Sequence, residues 1–100
     1  HGDERIGWRV VDQLMTATVP AGVDLWLVRS ANPDGSALGT RVNAHGVDEN
    51  RNFPTLWAAT APGSTTYGGP RPLSEPETAA LAVWVVAAST GRGLSPSSKT

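Results

Sequence analysis

The stretch Asn43-Ala44-His45-Gly46-Val47-Asp48-Glu49-Asn50-Arg51-Asn52-Phe53-Pro54 constrains this chain more than any other. It holds too many side-chain donors and acceptors for a core strand. It also closes on Pro54, which has no N–H to give to a ladder. It therefore reads as a loop around which regular elements must be arranged. Two other polar stretches belong with it: His1-Gly2-Asp3-Glu4 at the start, and Asn32-Pro33-Asp34-Gly35 with Arg41 shortly after. Together they offer a pair of metal-type ligands and a cluster of guanidinium and amide donors.

Around these loops the pattern alternates. Ile6, Val10, Val11, Leu14 and Met15 recur at helical spacing, with Arg5, Arg9, Asp12 and Gln13 opposite. Residues 5–19 thus read as an amphipathic helix covering a sheet and ending before Pro20 and Gly22. Val23 to Ser30 is a short apolar run with valine and tryptophan, read as a largely buried strand. Asn32-Pro33-Asp34-Gly35 reads as a β-turn at that strand's end, where open α/β sheets place their ligands. Residues 55–73 form a long irregular connection rich in Thr, Ala, Gly and Pro. Ser74-Glu75-Pro76-Glu77 then opens a second helix, with Ser74 as N-cap, Glu77 completing a capping box and Leu81, Trp84 and Val85 as its buried stripe. Glu75 and Glu77 read here as capping residues. This order predicts an α/β fold, a partial mixed sheet flanked by helices. Residues 1–90 read as one partial domain. Residues 91–100, rich in Ser and Gly without periodicity, read as a disordered or frameshifted tail.

A chain of 100 residues holds at most one domain, burying roughly 60–65% of its unfolded surface. It has no cysteine, so thiolate metal sites and disulfides are excluded and any metal must rest on His, Asp or Glu. A net charge of -1 gives no pull toward nucleic acid or an anionic membrane. No apolar run approaches the about 18 residues of a membrane span.

Within the polar stretches, His1 and Glu4 can face one point if the chain turns at Gly2, an imidazole–carboxylate pair of zinc-ligand type; a solvated chain start is the plainer reading. Asp48 is a candidate partner for an imidazole N–H. Arg51 offers a planar fork for a carboxylate, with Asn50 beside it. The loop reads equally as a surface loop whose Asn and Asp side chains bond their own backbone.

Taken together, His1-Gly2-Asp3-Glu4, Asn32-Pro33-Asp34-Gly35, Thr40-Arg41-Val42-Asn43, Gly46 through Pro54, and Gly69-Pro70 with Ser74-Glu75-Pro76-Glu77 resemble the zinc carboxypeptidase family, the carboxypeptidase A-like metallopeptidases, in its murein peptide amidase-like branch. Their order and spacing match over residues 1 to 88. The resemblance implies a truncated three-layer fold and hydrolysis of an amide bond next to a free carboxylate, in a peptide or murein-peptide substrate. It implies Zn²⁺ held by His1 and Glu4, Asp48 accepting from the His1 ring, Arg41 stabilising the oxyanion, and Asn50 and Arg51 binding the substrate's carboxylate.

Three departures accompany it. The family's third ligand, a histidine expected near residues 95–98, is replaced by Ser-Pro-Ser-Ser, and His45 is the one other histidine. The family's general-base glutamate has no counterpart. The strands expected before His1 are missing. Glu49 also stands where the family usually has an apolar or small residue. The expectation is therefore a catalytically incomplete piece of a longer enzyme. The alternatives are an aspartoacylase or succinylglutamate desuccinylase-like amide hydrolase, and a non-catalytic remnant that binds carboxylates through Arg41, Asn50 and Arg51.

Overall fold

The computed structural model describes residues 1–90; residues 91–100, where the tail and the missing third ligand were expected, lie outside them. Helix α1 spans Ile6–Leu14 and α2 spans Pro33–Leu38; a single 3₁₀ turn covers Glu49–Arg51, and α3 spans Pro76–Thr90. Among the described residues there is no strand and no sheet. The expected α/β fold with a partial mixed sheet is thus corrected to helices joined by irregular segments. The run at residues 23–28 has neither helix nor strand structure. Trp26, Leu27 and Val28 are half-buried, and Trp26 meets Trp84 of α3 edge to face, with centroids 5.8 Å apart. This packing covers only part of the run, since Val23 and Leu25 stay exposed. A strand needs a second extended segment alongside to exchange N–H···O=C bonds, and apolar content cannot supply one.

α1 forms where its periodicity predicts, but it ends earlier and covers no sheet. Ile6 and Val10 stay exposed. The helix is tied down by its polar face instead. Arg29 grips Asp12 with Nε on Oδ1 at 3.0 Å and Nη2 on Oδ2 at 3.2 Å. The same guanidinium stacks 4.8 Å from the Trp8 ring centre, a cation–π contact.

The Asn32-Pro33-Asp34-Gly35 signal is a helix start rather than a β-turn. Asn32 Oδ1 accepts from Gly35 N–H at 2.9 Å, and Pro33 sits at the helix's opening where its missing N–H costs nothing. Gly39 ends α2 at φ +69°, the left-handed cap that glycine favours. Gly2 is buried against this helix, and a Cβ there would overlap backbone atoms of Gly35 and Thr40. The close approach brings His1 in beside the central loop.

The interior is mostly polar. Among the described residues Val47 is the one fully buried apolar side chain, while Asn32, Asn43, Asp48, Glu49, Asn52, Glu75 and Thr78 are all buried. No described helix is long and apolar enough to cross a membrane.

Candidate functional site

The central loop is organised by its own asparagines. Asn43 Oδ1 accepts from the N–H groups of His45 at 3.0 Å and Val47 at 2.9 Å. Its Nδ2 donates to Glu75 at 2.7 Å and Glu77 at 2.6 Å, pinning the loop to the start of α3. Asn52 is fully buried. Its Nδ2 donates to Gly68 O at 2.8 Å, Arg71 O at 3.2 Å and Ser74 Oγ at 3.0 Å. Its Oδ1 accepts from Glu75 N at 3.3 Å and from the Thr78 hydroxyl. Ser74 is therefore not the expected cap: it donates to Glu75 Oε2 at 2.8 Å, and Asn52 meets the helix start instead.

These two hubs present Asp48. Its backbone N–H is fixed to Tyr67 O at 2.8 Å and its side chain is fully buried. Oδ1 lies 2.9 Å from His1 Nε2 and accepts from Asn50 N–H at 3.0 Å. Oδ2 accepts from Arg41 Nη2 at 2.7 Å, and Arg41 Nε donates to Thr65 O at 3.0 Å. One carboxylate thus gathers His1 and Arg41.

On the other side of the imidazole, His1 Nδ1 meets Glu4 Oε2. The His1 ring thus lies between two carboxylates, Asp48 at Nε2 and Glu4 at Nδ1. His1 and Glu4 are of the right chemistry to be two ligands of a zinc ion. No set of three His, Cys, Asp or Glu among the described residues is placed to hold a metal. His45 does not join them; its Nδ1 pairs with Glu75 Oε1 at 2.6 Å.

Asn50 and Arg51 are exposed. They line a cleft of about 520 Å³ with Phe53, Leu56 and Trp57. A second cleft, about 240 Å³, lies on the other side of Asn50, between His1, Glu49, Phe53, Glu77, Thr78 and Leu81.

Glu49 in that second cleft is held up to about 8 by burial first and by the neighbouring charge of Glu77 next. For Glu75, burial pushes upward, but hydrogen bonds from Asn43, Ser74 and His45 outweigh it and leave the carboxyl below its ordinary range.

The structure therefore brings His1, Glu4, Asp48 and Arg41 into one network and puts Asn50 and Arg51 on an adjoining face. Sequence reasoning missed Asn43 and Asn52 as the residues that hold the loop. Their signal was only their position inside a polar loop, which Asn occupies for many reasons.

A family model described as zinc carboxypeptidase matches residues 8–96, a span that begins after His1 and Glu4. Murein peptide amidase A of Escherichia coli K12 is 38% identical over 96 residues, covering 81% of this chain and 38% of that protein. Carboxypeptidase SOL1 of Arabidopsis thaliana is 29% identical over 97 residues, 85% of this chain and 18% of that protein. A metallocarboxypeptidase A-like protein of Trichophyton verrucosum is 32% identical over 88 residues, 71% of this chain and 21% of that protein. The chain thus spans well under half the length of these relatives. No solved structure matches.

Proposed function

The chain belongs to the zinc carboxypeptidase family, and from that premise we propose that it carries the substrate-anchoring side and two metal ligands of a hydrolase for amide bonds next to a free carboxylate. One observation carries this reading: Asp48 accepts from His1 Nε2 at 2.9 Å and from Arg41 Nη2 at 2.7 Å, so a candidate ligand and a candidate oxyanion donor share one buried anchor.

When bound, zinc lowers the pKa of a water and polarises the carbonyl. The chain's own residues act around it. Asp48 fixes the His1 tautomer and ring orientation and keeps Nδ1 available as a ligand atom. Glu4 supplies the carboxylate ligand. Arg41, held between Asp48 and Thr65 O, places positive charge where the carbonyl oxygen gains negative charge. Asn50 and Arg51 take the substrate's carboxylate, which needs charge-assisted donors as it leaves water. The substrate class is a peptide or murein peptide with a free terminal carboxylate.

A second reading, carboxylate binding without turnover, is favoured by one observation: Asn50 and Arg51 line an open cleft, whereas the described residues hold only two of the ligands a zinc site uses. Zinc titration of the full chain by calorimetry separates the two. The hydrolase reading expects one zinc per chain, weakened at least tenfold by His1→Ala and by Glu4→Gln. Zinc affinity untouched by both substitutions sinks it. Chelator-insensitive binding of an acylated amino acid, lost in Arg51→Ala, would then stand for the binding reading.

A further inference from the structure

His1 is a wall shared by two clefts. It lines the one of about 240 Å³ together with Asn50, and a further one of about 280 Å³ together with Glu4, Trp8 and Arg29. Asn50 in turn joins the first of these to the cleft that contains Arg51. The Arg29 cleft has no lining residue in common with the Arg51 cleft. The three thus follow one another, and the Arg29 cleft lies on the far side of His1 from Arg51. Arg29 is held there from two sides. Its Nε and Nη2 donate to Asp12 at 3.0 and 3.2 Å, and its guanidinium lies 4.8 Å from the Trp8 ring centre. These restraints orient the fork in advance and leave Nη1 with no acceptor among the described residues. Gly7 lines the same cleft, and the place a Cβ would take there has no atom within 4 Å. Glycine weakens a helix relative to alanine; what its missing side chain provides here is open space beside Glu4.

We propose that this cleft takes the peptide unit that precedes the scissile amide, with Arg29 Nη1 donating to its carbonyl oxygen. Arg29 is then a specificity-determining residue on the acyl side of the substrate. A carbonyl suits the cleft better than a second carboxylate. Asp12 already balances the charge of Arg29, and Glu4 stands in the same cleft. An arriving anion would therefore meet a net negative wall. A neutral acceptor meets no such repulsion, and one free N–H of a guanidinium is enough to bind it. Trp8 and Ala31 supply the apolar surface for the rest of that residue.

This inference rests on the carboxylate-binding reading of Asn50 and Arg51 and names what lies on the other side of the His1–Glu4 pair. A hydrolase of single acylated amino acids would leave the Arg29 cleft empty. The ligand class is instead an acylated peptide of two or more residues.

The test uses calorimetry on the full chain, with a chelator present so that binding alone is read. Acetyl-alanine and acetyl-alanyl-alanine each carry one free carboxylate, and only the second has a peptide unit before the scissile amide. The second is expected to bind roughly tenfold tighter, the worth of a hydrogen bond to a charged donor. Arg29→Gln and Gly7→Leu should each bring that ratio close to one and leave acetyl-alanine bound as before, while Arg51→Ala weakens both probes alike. Gly7→Leu should not lower the urea midpoint, so its effect on the ratio is not a loss of fold. Equal affinity for the two probes overturns the inference and leaves the carboxylate reading standing. A ratio that survives Arg29→Gln overturns it too. So does tighter binding shown by acetyl-glutamyl-alanine and not by acetyl-glutaminyl-alanine, since the cleft would then read a carboxylate. If neither alanine probe binds, the carboxylate reading falls and the inference with it. Should Arg29→Gln fail to fold by circular dichroism, Gly7→Leu decides alone, and a ratio unchanged in it overturns the inference.

Discussion

At the scale of residues, this site is held by buried side chains whose polar atoms are each assigned to a partner, with Glu49 the exception. Asn52 makes five side-chain hydrogen bonds to Gly68, Arg71, Ser74, Glu75 and Thr78. Asn52→Ala strands those groups in a buried setting and should cost about 2–4 kcal/mol in urea unfolding. A loss under about half a kcal/mol would remove Asn52 from this role. Glu49 gives the opposite signature. Its unfolded value is near about 4.3, and in the fold it is raised to about 8 by burial, by Glu77 and by Glu75, against the amino-terminal ammonium. The folded chain holds the proton more tightly than the unfolded one. The resulting stability is fully present below about pH 4.3 and is lost as pH rises through about 8. Glu49→Gln should flatten this slope and leave the variant more stable than the parent at about pH 8, by on the order of a few kcal/mol. Equal pH dependence in the two chains refutes the assignment. The meeting of Asp48 with the His1 ring was legible through the resemblance, which pairs a buried carboxylate with an imidazole N–H. Asn43 and Asn52 were not, because an asparagine's partners depend on residues up to 34 positions away.

Among the elements, α1 and α3 were legible, α2 was read as a turn, and the expected sheet is absent from the described residues. α1 announces itself by apolar spacing, and α3 by an unbroken run of helix-forming and apolar residues behind Pro76 in the first turn, both properties of the segment itself. A sheet is a property of at least two segments, and the run at residues 23–28 could supply only one of them. The Asn32-Pro33-Asp34-Gly35 signal was ambiguous for a related reason. Asn before Pro begins a turn or caps a helix with the same local bonds, and the residues after Gly35 decide between them. Here Asn32 does two jobs. Its Oδ1 caps α2, and its Nδ2 donates to Val42 O at 3.0 Å, linking the helix to the segment that carries Arg41. The two jobs can be separated by substitution. Asn32→Asp keeps the cap oxygen and loses the donor; Asn32→Ala loses both. The alanine variant should be the less stable by about 0.5–2 kcal/mol, the worth of a cap. Both should raise hydrogen exchange near Arg41 and Val42. If Asp is no better than Ala, the cap contributes nothing and the tie to Val42 carries the whole effect.

For the molecule as a whole, polar hubs and exposed apolar faces stand in an unusual ratio. Val47 is the one fully buried apolar side chain among the described residues, while Ile6 and Leu38 are 75% exposed and Val83 is 71% exposed. The helical spacing that made α1 legible places Ile6, Val10 and Leu14 on one side, and that side faces solvent. Apolar surface left in water costs about 25 cal/mol per Å², and contiguous patches of it mark contact surfaces. The internal hydrogen bonds cannot offset that cost, because each contributes only about 1 kcal/mol net. The 100-residue chain on its own should therefore associate through the α1 face. Sedimentation velocity should show the weight-average mass rising with concentration. The double substitution Ile6→Glu and Val10→Glu should return it to the monomer. These positions carry no part of the network around Asp48, so the affinity for an acylated amino acid should be unchanged in the double variant. A parent chain that stays monomeric at every concentration would show that the exposed face tolerates water, and the stability of the chain would then have to come from the asparagine hubs alone.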